Sequence, residues 1–503
     1  MVSDGAGGAI LIWEDSRNFS ITSVDIYAQR INSDGNVNWT ANGVVICNSI
    51  NPQFSRQLIS DGAGGAIITW QDKRMGSSED DIYAQKINAV GITQWSANGT
   101  VICNATDEQG SPDLVSDGAG GAIITWQDKR YSGTTDYDIY AQKINAAGIT
   151  QWGANGTVIC NATDEQKYPD LVSDGAGGAI NTWQDKRYSG TTDYDIYAQK
   201  INSAGITQWT TNGSIICNAT GYQAPPQTIS DGSGGAIITW TNYSNPSNYD
   251  IYTQKINSAG ITQWTTNGSI ICNALGNQQS FQTIGDGSGG AIITWQDSRP
   301  GTTIGDIYAQ KIDAAGMVQW TINGTIICDA IKEQLSARIA SDSAGGAIIA
   351  WGDNRATTTS WDIYAQKIAG TGPSITINSP SNYSVFNATA WYFNVTVSGI
   401  SIHTMWYTMN MGPIHIFTDN TTVDDTEWAA FANNTLVTVM FYANDTARNQ
   451  VSKSILVYFQ IPPSGGSGPP DGGGNIPFSN FYIVFALLGM VSLIYLAKRK
   501  GNQ

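Results

Sequence analysis

Acid–base and hydrolytic chemistry draws on histidines, carboxylate pairs or metals, and this chain narrows that choice at once. It has two His, His403 and His415, both in its last quarter. The stretch before them has no His-based general base and no His metal site. Carboxylates remain. Cleaving a glycosidic bond takes a pair of them on one face. Glu is scarce there, however (Glu14, Glu79, Glu108, Glu165 and Glu333), and several of these sit in copied loops. No catalytic residue and no cofactor is assigned from the sequence. Oxygen-rich loops such as Thr134-Thr135-Asp136-Tyr137-Asp138 leave calcium as a secondary reading. No loop has the EF-hand or nonapeptide calcium spacing, so no metal ligand is named.

Other reactive side chains recur too regularly to be a single site. The six Cys (Cys47, Cys103, Cys160, Cys217, Cys272 and Cys328) are spaced 55 to 57 residues apart. Equivalent positions of successive structural units lie beyond the roughly 7 Å Cα limit of a disulfide, so they read as small buried side chains. Trp-x-Asp-x-Arg recurs at Asp15/Arg17, Asp72/Arg74, Asp128/Arg130, Asp185/Arg187, Asp297/Arg299 and Asp353/Arg355, with Asn242 and Ser244 in one copy. The pair reads as a hairpin staple. Repeated Trp and Tyr could stack on sugars, but at fixed repeat positions they read as core. Ligand contacts are expected where copies differ, such as Asn18 to Val24, Met75 to Asp80 and Asn245 to Tyr249.

These residues belong to one unit copied seven times. Asp-Gly-x-Gly-Gly-Ala-Ile begins at Asp4, Asp61, Asp117, Asp174, Asp231, Asp286 and Asp342, the last as Asp-Ser-Ala-Gly-Gly. Each copy runs on to a Trp, then Asp-Ile-Tyr. Pro169–Val172, Ala122–Trp126, Asp138–Ile144 and Thr157–Cys160 illustrate four short strands, from β-propensity and turn punctuation. One four-stranded sheet cannot bury both faces, so such sheets stack, and seven copies predict a seven-bladed β-propeller over 1–371. A linear β-solenoid is the rival. "P-x-L-V-S-D-G-x-G-G-A-I-I-T-W-x-D-x-R … D-I-Y-A-Q" resembles the repeats of secreted bacterial and archaeal propellers and is distantly similar to sialidase-type blades. The sialidase Asp-box is only echoed, at Ser33-Asp34-Gly35 before Trp39 and at Asp313 and Gly316 before Trp320. The resemblance implies a fold and carries over no catalytic residue.

The remainder is organised differently. Residues 372–461 show strands at Ser374–Asn378, Trp391–Val397, Met405–Met409, Leu436–Tyr442 and Ser452–Gln460. This pattern resembles the Ig-like modules of archaeal surface proteins and implies an Ig-like sandwich with Trp406 in its core. Residues 462–477 read as a Pro/Gly/Ser linker. Phe478 to Ala497 is long enough to span a bilayer as the membrane partner, and 498–503 is a basic cytoplasmic tail. The expected fold class is therefore all-β, a propeller plus a sandwich, with one C-terminal transmembrane helix. The chain begins inside a repeat, so an export signal upstream of Met1 is expected.

Among 503 residues only 13% are charged, with a net charge of −16, which disfavours nucleic acid as a partner. Sequons at Asn98, Asn104, Asn155, Asn161, Asn212, Asn218, Asn267, Asn323, Asn387, Asn394 and Asn444 fit an extracellular location as glycosylation candidates. The sequence-based expectation is a single-pass cell-membrane protein whose extracellular head is a non-catalytic recognition, adhesion or surface-structural device for an unidentified protein or glycan. The alternative is an extracytoplasmic carbohydrate-active, sialidase-like enzyme, favoured if unique residues converge on a pocket.

Overall fold

Each Asp-Gly-x-Gly-Gly segment forms a tight turn, and the reason is local. In the second copy Asp61 Oδ1 accepts hydrogen bonds from the backbone N–H of Ala63 and Gly65. Gly62 and Gly64 have φ of 76° and 84°, the left-handed region that favours glycine. A Cβ on Gly65 would lie 2.2 Å from the Ile87 carbonyl oxygen. The turn therefore feeds the apolar Ala66–Asp72 strand back antiparallel to the strand before it.

The computed structural model describes residues 1–76, 79–130, 136–187, 193–245, 248–299, 305–355, 361–369, 374–398, 402–445 and 450–461. It is all-β apart from the short helix Asp425–Ala429. Seven antiparallel sheets follow one another along the repeats. The second is typical: Gln53–Ser60, Ala66–Asp72, Asp81–Ile87 and Thr100–Cys103, each paired with the next. Pro169–Val172 falls within Gln166–Ser173 and starts the fourth sheet; the strand leading the third is Gln109–Ser116. The seventh sheet has three strands, ending with Asp362–Ile368.

Successive sheets pack face to face, with their first strands side by side. One face presents Ala66, Ile68 and Trp70 to the preceding sheet. The opposite face presents Ile67, Ile82 and Ala84 to the following one. This is a propeller-like arrangement. Inside the array Trp70, Trp126, Trp183, Trp240 and Trp295 are wholly buried. Trp13 in the first sheet is only half-buried.

Residues 374–461 have their own core. Ser374–Ser379 pairs with Asn394–Ser398, and a second sheet runs Ser384–Phe386, Gln450–Phe459, Thr435–Asp445, Ile402–Met409, His415–Phe417. Phe393, Trp391, Trp428 and Phe441 fill the space between them. The expectation for Trp406 is corrected. Strand alternation sends Tyr407 and Met409 into this core, and Trp406 lies on the other face, stacked on Tyr442 at 5.2 Å. Among the described residues no helix is long and apolar enough to cross a membrane. The linker 462–477, the apolar run Phe478 to Ala497 and the tail 498–503 lie outside the described residues, as does the boundary at 370–373.

Candidate functional site

The first strands of the sheets differ most from copy to copy at their middle. Five of them, in the second, third, fourth, sixth and seventh sheets, carry a register shift against the neighbouring strand, as between Thr125 and Gln127 in the third sheet. The residue in the bulge is left-handed without being glycine: Ser55, Ser111, Tyr168, Ser280 and Ser336 have φ of 51 to 56°. A bulge of this kind re-aims the side chains that follow it. Just beyond it stand Gln57, Asp113, Asp170, Gln282 and Arg338, and the fifth sheet, which lacks the bulge, has Gln227 at the same repeat position.

Two neighbouring sheets thus place carboxylates at this position. Asp113 Oδ2 accepts the N–H of Leu171 at 2.9 Å, from the next sheet. Asp170 Oδ2 accepts the N–H of Thr228 in the sheet after that. Burial between the sheets pushes the Asp113 carboxyl up to about 7, against the pull of the Leu114 and Leu171 amides. Burial, then the negative charge of Asp113, holds Asp170 well above the usual carboxylate range. Both side chains are nevertheless half-buried rather than sealed.

The inter-sheet bond alone does not require a charge. Gln227 accepts the N–H of Thr283 in the same manner, at 2.6 Å, with a neutral amide. A carboxylate in that place adds an unfavourable charge burial and gains a proton that exchanges near neutrality. Beside the pair, Tyr168 is 47% exposed and its N–H is held by Gln127 Oε1. Two carboxyls with raised affinity for protons, next to an exposed aromatic ring, can exchange protons with a bound hydroxylated substrate.

The sequence-named residues divide clearly. The Asp–Arg pairs are staples that reach further than one hairpin. Arg74 bonds Asp72 through two nitrogens, lies 3.6 Å over the Tyr83 ring, and reaches Cys47 Sγ at 3.4 Å and the Asn98 carbonyl at 2.7 Å. Asp72 also accepts from Trp70 Nε1. Cys47 belongs to the preceding sheet, so the cluster locks two sheets together. The six thiols are free and buried. Burial pushes Cys47, Cys103, Cys160 and Cys272 up to about 12, which keeps them as unreactive thiols.

The glutamates are tied elsewhere: Glu14 to Arg56, Glu108 to Tyr137 and Lys129, and Glu165 to Tyr194 and Lys167. Among the described residues no three His, Cys, Asp or Glu side chains come together as a metal site. Thr134 and Thr135 of the calcium reading lie outside the described residues. The sequons form two classes. Asn98, Asn155, Asn212, Asn267 and Asn323 occupy left-handed turns, and their Oδ1 atoms accept N–H groups from the preceding sheet. Asn104, Asn161, Asn218, Asn387 and Asn394 are exposed, and Asn444 is half-buried, bonded to the Thr404 N–H.

Asp113 and Asp170 are not among the residues the sequence singles out, because they lie inside strands and not in the loops that vary between copies. The available signal was variation inside a strand: Ser-Arg-Gln, Ser-Pro-Asp, Tyr-Pro-Asp, Ser-Phe-Gln and Ser-Ala-Arg at one repeat position.

No protein-family model matches the chain, and no curated protein matches its sequence. Solved structures of similar shape include the endo-arabinase of Bacteroides thetaiotaomicron, 11% identical, with 51% of this chain and 93% of that one covered and a TM-score of 0.31. The alpha-L-arabinanase of Penicillium chrysogenum is 14% identical over 58% and 85% of the two chains, with a TM-score of 0.34. The alpha-L-arabinofuranosidase of Fusarium graminearum is 10% identical over 63% and 93%, with a TM-score of 0.33. These are glycoside hydrolases. The expectation of a non-catalytic head, and with it that of no enzymatic activity, is accordingly corrected. At such scores the likeness assigns no substrate or mechanism to this chain, which its own residues must supply.

Proposed function

We propose that this chain is a carbohydrate-active enzyme, built as a seven-bladed propeller with an Ig-like sandwich after it. The observation that carries this reading is the Asp113–Asp170 pair on adjacent first strands, both with raised proton affinity, in positions whose structural bond a glutamine serves equally well. Glycosidic cleavage needs one carboxyl that still holds its proton near neutral pH and another that accepts one. Asp170, raised by burial and by the charge of Asp113, is the general acid. Asp113 is the carboxylate partner, and Tyr168 offers a face for a sugar ring. The chain acts outside the cytoplasm, tethered through Phe478 to Ala497, and its exposed sequons carry glycans.

The test is a hydrolysis screen of the intact chain against a panel of plant, bacterial and animal polysaccharides, read as released reducing ends. Asp170→Asn and Asp113→Asn each keep an amide oxygen for the inter-sheet bond. Each is expected to lower the rate by roughly 10²–10⁴-fold while leaving the melting temperature nearly unchanged. Activity that survives both substitutions sinks the assignment.

A further inference from the structure

We propose that a cavity in the fifth sheet binds the guanidinium group of a ligand, in a cradle that other sheets fill with an arginine of their own. The template is built five times. Arg74, Arg130, Arg187, Arg299 and Arg355 each lie 3.6 to 4.1 Å over the Tyr ring of the paired strand. Each bonds the Asp of its own sheet and reaches the thiol of the preceding sheet at 3.0 to 3.4 Å. Arg74, Arg130, Arg187 and Arg299 also donate to the Asn carbonyl of an Asn-Gly turn at 2.6 to 2.7 Å.

The fifth copy has Ser244 for the arginine and Asn242 for the aspartate, and it keeps the rest of the cradle. A cavity of about 510 Å³ lies there, lined by Asn242, Tyr252 and Asn267, the counterparts of Asp72, Tyr83 and Asn98. It continues past Ala219 to Ile270 and Met317, an apolar flank suited to the alkyl stem of an arginine-like ligand. Trp240 marks the cluster as incomplete. It is wholly buried and its indole N–H has no acceptor among the described residues, whereas Trp126 donates to Asp128 Oδ2 at 2.7 Å. That same Oδ2 also accepts Arg130 at 2.5 Å. An Asn242 Oδ1 in its place can accept the indole and a ligand N–H together.

The charge of the site comes from Asp250, directly across the strand pair from Asn242. Its counterparts Asp81, Asp138, Asp195 and Asp306 each feel the arginine of their own sheet, which places this carboxylate within reach of the cradle. Burial pushes Asp250 up to about 6, so it is ionised at about pH 7.5 and attracts a cation. A guanidinium suits the place better than an ammonium, since it is planar, stacks on an aromatic face and is more weakly hydrated. The group can belong to a free guanidino compound or to an arginine side chain of a peptide.

Isothermal titration calorimetry on the full chain, in a mild detergent at about pH 7.5, tests this with L-arginine, Nα-acetyl-L-arginine amide, L-lysine and urea. The two arginine compounds are expected to bind at a single site, and lysine and urea at least several-fold more weakly. Equal affinity for the two arginine compounds assigns the site to an arginine residue of a peptide; preference for L-arginine assigns it to a small molecule. Tyr252→Leu is expected to weaken binding by roughly tenfold, the loss of one cation–π contact. Asn242→Asp with Ser244→Arg puts the chain's own guanidinium in the cradle, and is expected to abolish binding while the melting temperature holds or rises. Arg187→Ser opens a second cradle beside Asp185 and is expected to add a second site; Arg130→Ser repeats this at an independent position, and thermal melts check that each variant is folded. The readout is heat of binding and owes nothing to hydrolysis. Four results overturn the proposal: no binding of either arginine compound, binding unchanged in Asn242→Asp with Ser244→Arg, lysine or urea bound as tightly as arginine, or no added site in either arginine variant.

Discussion

Asn181 isolates what one side chain does in a copied framework. The third and fourth repeats are almost identical, yet Ile124 in one is Asn181 in the other. Asn181 is wholly buried between two sheets, and neither its amide nitrogen nor its oxygen has a protein partner. The strand pattern favours a bond to the neighbouring sheet's backbone or to a trapped water, and of these the backbone bond is not formed. An unpartnered buried amide costs roughly 1–3 kcal/mol, so Asn181→Ile, the repeat's own residue, is expected to raise the melting temperature by a few degrees. A melt that falls instead would show a role for the amide. The substitution site was legible because repeats expose any departure from their own rule. Asp113 and Asp170 depart from the repeat rule in the same way, inside the first strands, where the other copies have Gln57, Gln227, Gln282 and Arg338. Their raised proton affinity was not legible, since it comes from the approach of sheets far apart in sequence.

At the scale of the element, the hairpin staple explains the fifth sheet. In the second, third, fourth, sixth and seventh sheets Trp, Asp, Arg and Tyr form one cluster with the thiol of the preceding sheet, as Trp126, Asp128, Arg130, Tyr140 and Cys103 do. The fifth copy has Asn242 and Ser244 in place of the Asp and Arg. Among the described residues the indole N–H of Trp240 has no acceptor there. Replacing Asn242→Asp together with Ser244→Arg is expected to restore the cluster and raise stability by about 1 kcal/mol, measured as the shift in a denaturant midpoint. Asn242→Asp alone is expected to lower it, because Asp250 lies directly across the strand pair and the new charge would face it without an arginine. Strand positions, turn chemistry and the hairpin pairing were all readable from local pattern. The cysteine's place in the staple was not, because it arrives from the neighbouring sheet.

For the whole molecule the repeats multiply a single electrostatic arrangement. Asp72 and Asp81 face each other across paired strands, as do Asp128 and Asp138, Asp185 and Asp195, and Asp297 and Asp306. Burial, then the opposing carboxylate Asp72, pushes Asp81 up to about 6. Asp138 and Asp195 rise to about 6 from the same two causes. Asp250 reaches about 6 through burial, and Asp306 through burial followed by Asp329 and Asp297. An unfolded aspartate titrates near 4. Between about pH 4 and 6 the folded chain therefore holds more protons than the unfolded one. Stability is then fully present at the low end of that window and falls as pH rises through 6. Asp113, up to about 7, extends the decline toward neutrality. The opposite limit is set by groups such as Asp353, which hydrogen bonding from Arg355 holds near 2, so that stability is lost again well below pH 4. The melting temperature is expected to be higher at pH 4.5 than at pH 7.5 by roughly 3–10 °C, and in Asp81→Asn/Asp138→Asn/Asp195→Asn the difference should shrink. A flat profile between those pH values would show that the five aspartates are ionised in the folded chain, and that the repeated carboxylate pairs are neutralised by the arginines alone.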